Sequence, residues 1–173
     1  AAYNDNYTVS YNGEKLLTKM AYNKVGCVSL LTMDTLFTIP FDKAHTMNFS
    51  PDGKYIVIGS SKLFATVFDA ETGDSLHTVR TNGDFDCDGC KTKVCISNDS
   101  KMVYTMSNKG AGILWNIKSG KIIKKLKTPE KSTDNILFSQ NNDKLLLSFS
   151  DNLKIYDLNT GRESFSQENK DLD

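Results

Sequence analysis

The segment 82–90 contains the residue types that could bind a metal ion in this chain. Three aspartates alternate there and a glycine follows them, namely Asp84, Asp86, Asp88 and Gly89. This pattern is typical of the opening of a calcium-binding loop, where alternate oxygens converge on one hard cation. The twelfth position is Cys95, which cannot supply the closing bidentate carboxylate. An acidic solvated loop is therefore the favoured interpretation, and no cofactor or bound metal is predicted.

The same segment contains a Cys-x-x-Cys pair, Cys87 and Cys90. Zinc sites usually combine four sulfur or imidazole ligands. The other two candidates, Cys95 and His77, fall in different predicted strands, so surface thiols are the favoured interpretation. Four cysteines are too few for a disulfide scaffold and suit a reducing compartment. We therefore expect an intracellular protein, cytoplasmic or nuclear.

Lysines are concentrated between positions 118 and 131. Four of them form a possible basic contact surface: Lys121, Lys124, Lys125 and Lys127. Such a surface could bind RNA phosphates or an acidic partner. Lysine also commonly blunts an exposed edge strand, which is the favoured interpretation. Lys plus Arg and Asp plus Glu number 21 each, so no net charge draws the whole chain towards nucleic acid.

No pattern in the sequence predicts catalysis or membrane insertion. The chain has no G-x-S-x-G sequence and no phosphate-binding P-loop. Its two histidines, His45 and His77, have no nucleophile at a motif spacing. The apolar runs are far shorter than the ~20 residues of a membrane-spanning helix. We therefore predict no catalytic residue, no enzyme activity and no membrane contact.

Four copies of one hairpin pattern organise the chain. Each begins at a serine that is followed by a turn and an apolar strand: Ser10, Ser50, Ser97 and Ser139. These serines are 40, 47 and 42 residues apart. A period near 40, with four short strands in each repeat, indicates an all-β chain built of four-stranded antiparallel propeller blades.

Equivalent positions in the four copies carry the same residue types. One residue before the serine stand Val9, Phe49, Ile96 and Phe138. Six residues after it stand Leu16, Ile56, Val103 and Leu145. The third strand carries Val28, Phe68, Trp115 and Tyr156. Three residues before the serine stand Tyr7, Met47, Val94 and Ile136. Because side chains alternate along a strand, the residues one and three before each serine are predicted to share one face of an inner strand. The aromatic third-strand residues are predicted to be core residues of their blades.

The repeat resembles the blades of WD40-type β-propellers over essentially the whole chain. The resemblance lies in Phe49-Ser50-Pro51-Asp52-Gly53, in Trp115-Asn116, in Tyr156-Asp157 and in the turns at Gly73, Gly120 and Gly161. It predicts a partial propeller over residues 1–173. The blades are expected at approximately 5–40, 41–82, 91–129 and 130–168, with the acidic insertion at 82–90.

The resemblance implies a non-catalytic scaffold that binds other proteins within a multi-subunit assembly. Because such propellers close with about six to eight blades, four blades predict part of a larger ring. The remaining blades would come from the same longer chain or from a second copy, and a true four-bladed ring is a further alternative. Two other functions remain open: a propeller domain that supports a peptidase or signalling ATPase encoded elsewhere in a longer chain, and a component of an RNA–protein particle.

Overall fold

A computed structural model describes residues 7–21, 23–80, 90–108, 110–129 and 131–168, which form four antiparallel four-stranded sheets. Blade 1 contains β1 Tyr7–Val9, β2 Lys15–Ala21, β3 Lys24–Ser29 and β4 Thr35–Pro40. Blade 2 contains β5 Ala44–Phe49, β6 Tyr55–Ser60, β7 Phe64–Asp69 and β8 Ser75–Arg80. Blade 3 contains β9 Thr92–Ile96, β10 Met102–Ser107, β11 Gly110–Asn116 and β12 Ile122–Leu126. Blade 4 contains β13 Asn135–Phe138, β14 Lys144–Ser148, β15 Asn152–Asp157 and β16 Glu163–Glu168.

The strands of each blade pair in chain order, so every blade is a simple meander. The predicted all-β class and the predicted four-stranded antiparallel blades are confirmed. None of the described residues forms a helix of the length and apolarity that a membrane crossing requires.

The serine that marks each repeat closes the first hairpin of its blade. Its Oγ accepts a hydrogen bond from the backbone N–H five residues later, over 2.9 Å in three blades and 3.0 Å in the fourth. The same hydroxyl donates to a turn side chain, as Ser50 does to Asp52 over 2.6 Å. One hydroxyl thus satisfies the turn at both ends, which explains why serine recurs at this position.

The acid or amide after each third-strand aromatic residue caps the next turn. The side-chain oxygens of Asp69, Asn116 and Asp157 accept hydrogen bonds from backbone N–H groups three residues later, over 3.0, 2.9 and 2.7 Å. These hydrogen bonds stabilise the tight turn into the outer strand. In blade 1 the capping atom is the Oγ of Ser29, which accepts from Thr32 over 3.2 Å.

Each blade has two faces, which we call front and back. The front face carries a row of directly paired residues, in blade 2 Phe49, Ile56 and Phe68. The back face carries the neighbouring row, in blade 2 Val57 and Val67. Three apolar clusters fill the seams, because the back of each blade packs against the front of the next one.

Candidate interaction surfaces

The front face of blade 1 is apolar and open. Tyr7 and Val9 are 54% and 45% exposed, whereas Met47 and Phe49, at the same positions of blade 2, are 6% and 3% exposed. Leu16 and Val28 complete the row with Val9 and are half-buried. The four blades share one residue pattern, so the exposure follows from the neighbour that covers the others and does not cover this face.

The turn between β3 and β4 extends this open surface. Leu31 and Met33 are large apolar residues, and both are exposed. Met33 has a φ of 62° and takes the position that glycine holds in the other three blades. Its backbone N–H donates to the Ser29 carbonyl, as that of Gly73 donates to Asp69.

The back face of blade 4 is the second open apolar surface. Its row consists of four apolar residues that pair directly across the sheet, namely Leu137, Leu146, Ile155 and Phe165. Leu137 and Phe165 are exposed, and the other two are half-buried. The corresponding residues in the middle of the blade 3 row, Tyr104 and Leu114, are buried against blade 4.

Polar contacts across the inner seams show how neighbouring blades are fixed together. In the seam between blades 2 and 3, Thr46 donates to the Thr92 carbonyl and Asn48 to the Val94 carbonyl, each over 2.9 Å. Gly59 lies in the same seam, where a methyl group would overlap the Thr92 carbonyl oxygen. This seam is therefore held by specific hydrogen bonds as well as by close apolar packing.

The structure divides the predicted basic surface. Lys121, Lys125 and Lys127 are exposed. Lys124 crosses to blade 4, where its Nζ donates to the carbonyls of Leu158 and Asn159 over 2.9 and 2.6 Å. Three of the four lysines are thus available to a partner, while Lys124 has a structural role.

The predicted metal candidates Asp84, Asp86 and Asp88 lie outside the described residues. No cluster of metal-ligating side chains occurs in the part of the chain that the structure describes. Among the cysteines, Cys27 and Cys95 are free thiols, whereas Cys90 is buried and disulfide-bonded. The expectation of a surface thiol at Cys90 was therefore wrong, because this sulfur is in a disulfide and the side chain is buried.

Cys95, Asp69 and His77 are titratable groups with structural surroundings. Burial raises the pKa of the Cys95 thiol to about 12, which leaves it protonated and unreactive at neutral pH. Asp69 borders a shallow depression with Lys54 and Glu71, yet its carboxylate accepts the hydrogen bonds of its own turn. The His77 ring contacts the Lys118 carbonyl of blade 3. Asp69 therefore stabilises a turn, and His77 contributes to the seam between blades 2 and 3.

Comparison with known proteins identifies the fold alone. No family model and no curated protein matches the sequence. Many solved structures match, including a chain of Kuenenia stuttgartiensis hydrazine synthase with a TM-score of 0.79 and 14% identity. The match covers 95% of this chain and 48% of that one. This chain therefore spans about half the length of the solved structure that it resembles.

Sequence reasoning assigned no residue to an open apolar face. The two-residue alternation predicted only that Tyr7 and Val9 share one face of an inner strand. Phe165 and Met33 were not singled out. The number of blades could have predicted the two open faces, because an open arc of four blades leaves one front face and one back face uncovered.

Proposed function

We propose that this chain is a non-catalytic scaffold that binds other proteins within an assembly, through the apolar faces at its two ends. The observation that supports this most strongly is the contrast within the repeat. Residues such as Phe49 and Ile56 are buried by a neighbouring blade, while Val9 and Phe165 at the ends are open.

Covering the open faces is energetically favourable, because each of them lacks the burial that stabilises every inner seam. Burying a large apolar side chain contributes about 1.5–3 kcal/mol. Contiguous apolar patches of this kind mark surfaces that other proteins cover. Within the proposal the chain is part of a larger WD40-like propeller, and its partners include the blades that continue the ring.

The absence of a catalytic role is also part of the proposal. In the described ranges, the two acidic residues that line a surface depression have structural partners, because Asp69 caps its own turn and Glu71 pairs with Lys15. His77 contacts a backbone carbonyl in a seam. An intracellular location remains proposed on the cysteine content. Cys27 and Cys95 are free thiols, whereas the disulfide at Cys90 opposes this location, because disulfides are rare in reducing compartments. A thiol titration in the source cell tests it: a free Cys90 thiol would support the intracellular location, and a persistent disulfide would contradict it.

A site-specific photo-crosslinker tests the scaffold proposal. Benzoylphenylalanine replaces Phe165 in one variant and Leu76 in a control, each in the native assembly. Leu76 has a similar exposure but lies on an outer strand of an inner blade. We expect a discrete crosslinked adduct from position 165, either with a partner protein or with a further blade of the same longer chain, and none from position 76. Equal labelling at the two positions, or no adduct at position 165, would contradict the proposal.

The lysines support a second proposal, a component of an RNA–protein particle. Lys121, Lys125 and Lys127 are exposed within seven residues of one outer strand and its flanks. Three phosphate contacts would give weak, strongly salt-dependent binding. The scaffold proposal is favoured because each open face is a row of directly paired apolar residues, whereas the basic strip has three exposed lysines.

A further inference from the structure

Every described seam places one outer-strand residue against a turn glycine of the following blade. Phe37 lies against Gly73, His77 against Gly120, and Lys124 against Gly161. A methyl group added at these glycines would lie 2.5, 3.3 and 2.9 Å from the nearest atom of the outer-strand residue. The glycines also have φ values of 79°, 66° and 75°, which L side chains rarely adopt. Two independent constraints thus favour glycine there.

The three outer-strand residues are equivalent by sheet register. Phe37 pairs with Cys27, His77 with Val67, and Lys124 with Leu114, each on the back row of its blade. The same register in blade 4 pairs Phe165 with Ile155. Phe165 is therefore the residue that would meet the turn of a following blade, and it is 46% exposed.

The turn of blade 1 is a poor match for this aromatic residue. Phe37 is the aromatic example among the inner seams, and its ring leaves no room for a methyl group at Gly73. Blade 1 presents Met33 at the equivalent turn position, and Met33 is 72% exposed. A second copy that docked its blade 1 onto blade 4 would bring the Met33 side chain against the Phe165 ring.

We infer that the back face of blade 4 is covered by a further four-stranded blade with glycine in the turn between its third and fourth strands, and not by blade 1 of a second copy. The inference rests on the proposed scaffold function and specifies the partner at one of its two surfaces. The front face of this further blade is apolar, like Phe49, Ile56 and Phe68 of blade 2, because it packs on Leu146 and Ile155.

Blade 2 of this chain can serve as the test blade, because it has an apolar front face and a turn glycine, Gly73. Glu168 pairs with Asn152 as Pro40 pairs with Lys24, so both residues end an outer strand in the same register. Residues 41–80 appended directly after Glu168 therefore reproduce the natural connection from blade 1 to blade 2. The appended copy supplies a front face of known structure and the turn glycine of Gly73.

A double-mutant cycle separates the proposed contact from backbone strain. Four chimeras combine Phe165 or Phe165→Ala with glycine or Gly73→Met in the appended copy. Strain at the positive φ lowers the melting temperature equally in both backgrounds. We expect a further loss of about 2–4 °C when Phe165 is present, because only then does the added side chain meet an aromatic ring. Equal losses in both backgrounds would overturn the inference.

Sedimentation of the natural chain provides the second test. We expect a monomer at micromolar concentration. A dimer that dissociates on Phe165→Ala and on Met33→Ala would show that a second copy covers the face, and would overturn the inference. The photo-crosslinking result is independent of both tests. If position 165 gives a crosslinked adduct but Phe165 and Gly73→Met act additively in the chimeras, only this inference is refuted. If the two are coupled in the chimeras but position 165 gives no adduct, the scaffold proposal is refuted.

Discussion

Gly112 is the position where a single methyl group should disturb the core most. It lies in β11 against the ring of Tyr104, which is fully buried on the back face of blade 3. A methyl group at Gly112 would overlap the Tyr104 hydroxyl oxygen and lie 2.7 Å from Cε2. The ring is enclosed by blade 4, so it cannot rotate into solvent.

The expected cost of Gly112→Ala follows from this overlap. Forcing extra volume into a packed core costs about 1–3 kcal/mol of unfolding free energy. For a chain of this size, 1 kcal/mol corresponds to about 2–4 °C. We therefore expect the melting temperature, measured by calorimetry, to fall by about 2–12 °C.

Gly26→Ala is the matched control, because Gly26 also lies in a third strand. The three atoms nearest to its added methyl group all belong to the flexible Met20 side chain, which is exposed and can move away. We expect this variant to be neutral or slightly stabilised, by up to about 1 kcal/mol, because alanine restricts the unfolded chain. Equal melting temperatures for the two variants would refute the proposed packing of Tyr104. Gly112→Ala should also cost less in a Tyr104→Leu background.

Three further variants test the turns and the seams. Ser50→Ala should lower the unfolding free energy, measured by urea denaturation, by about 1–2 kcal/mol, because it leaves the Tyr55 N–H without its acceptor. A decrease of only about 0.3 kcal/mol would contradict this. Hydrogen bonds from the backbone N–H groups of its turn lower the pKa of Asp69 in the folded chain. The ionised carboxylate therefore stabilises the fold above the unfolded pKa of about 3.9, and this stabilisation is lost as the pH falls through the lower folded pKa. Asp69→Asn, which copies Asn116 of blade 3, should lose less stability than the natural chain between about pH 5 and pH 2, and an identical acid titration would contradict that. Lys124→Ala should lower the melting temperature and Lys125→Ala should not, whereas RNA binding that disappears on Lys125→Ala at low salt would favour the particle function.

The repeat made most of the fold predictable. The serine at each hairpin, and an aromatic residue in three of the four third strands, recur at nearly constant offsets. Such offsets reflect hydrogen bonds and packing that each blade must make separately. Ser50 and Trp115 are accordingly buried where the pattern placed them. Local chemistry determined these positions, so a single sequence was sufficient to find them.

The surfaces could not be predicted in the same way, because they depend on neighbours. Val9 and Phe49 occupy the same place in the pattern, yet only Phe49 has a blade in front of it. Lys124 and Lys125 are adjacent in one basic run, yet only Lys124 reaches the carbonyls of blade 4. Exposure and seam contacts follow from the arrangement of the blades in space, which composition and spacing do not contain.

Oxidative footprinting tests the central claim, that other protein covers the two end faces. Hydroxyl-radical labelling of Tyr7 and Phe165 is measured in the isolated chain and in the native assembly, with Leu76 as the internal reference. We predict that labelling of Tyr7 and Phe165 falls at least fivefold in the assembly, because burial removes them from solvent, while Leu76 is unchanged. Unchanged labelling of Tyr7 and Phe165 in the intact assembly would contradict the account.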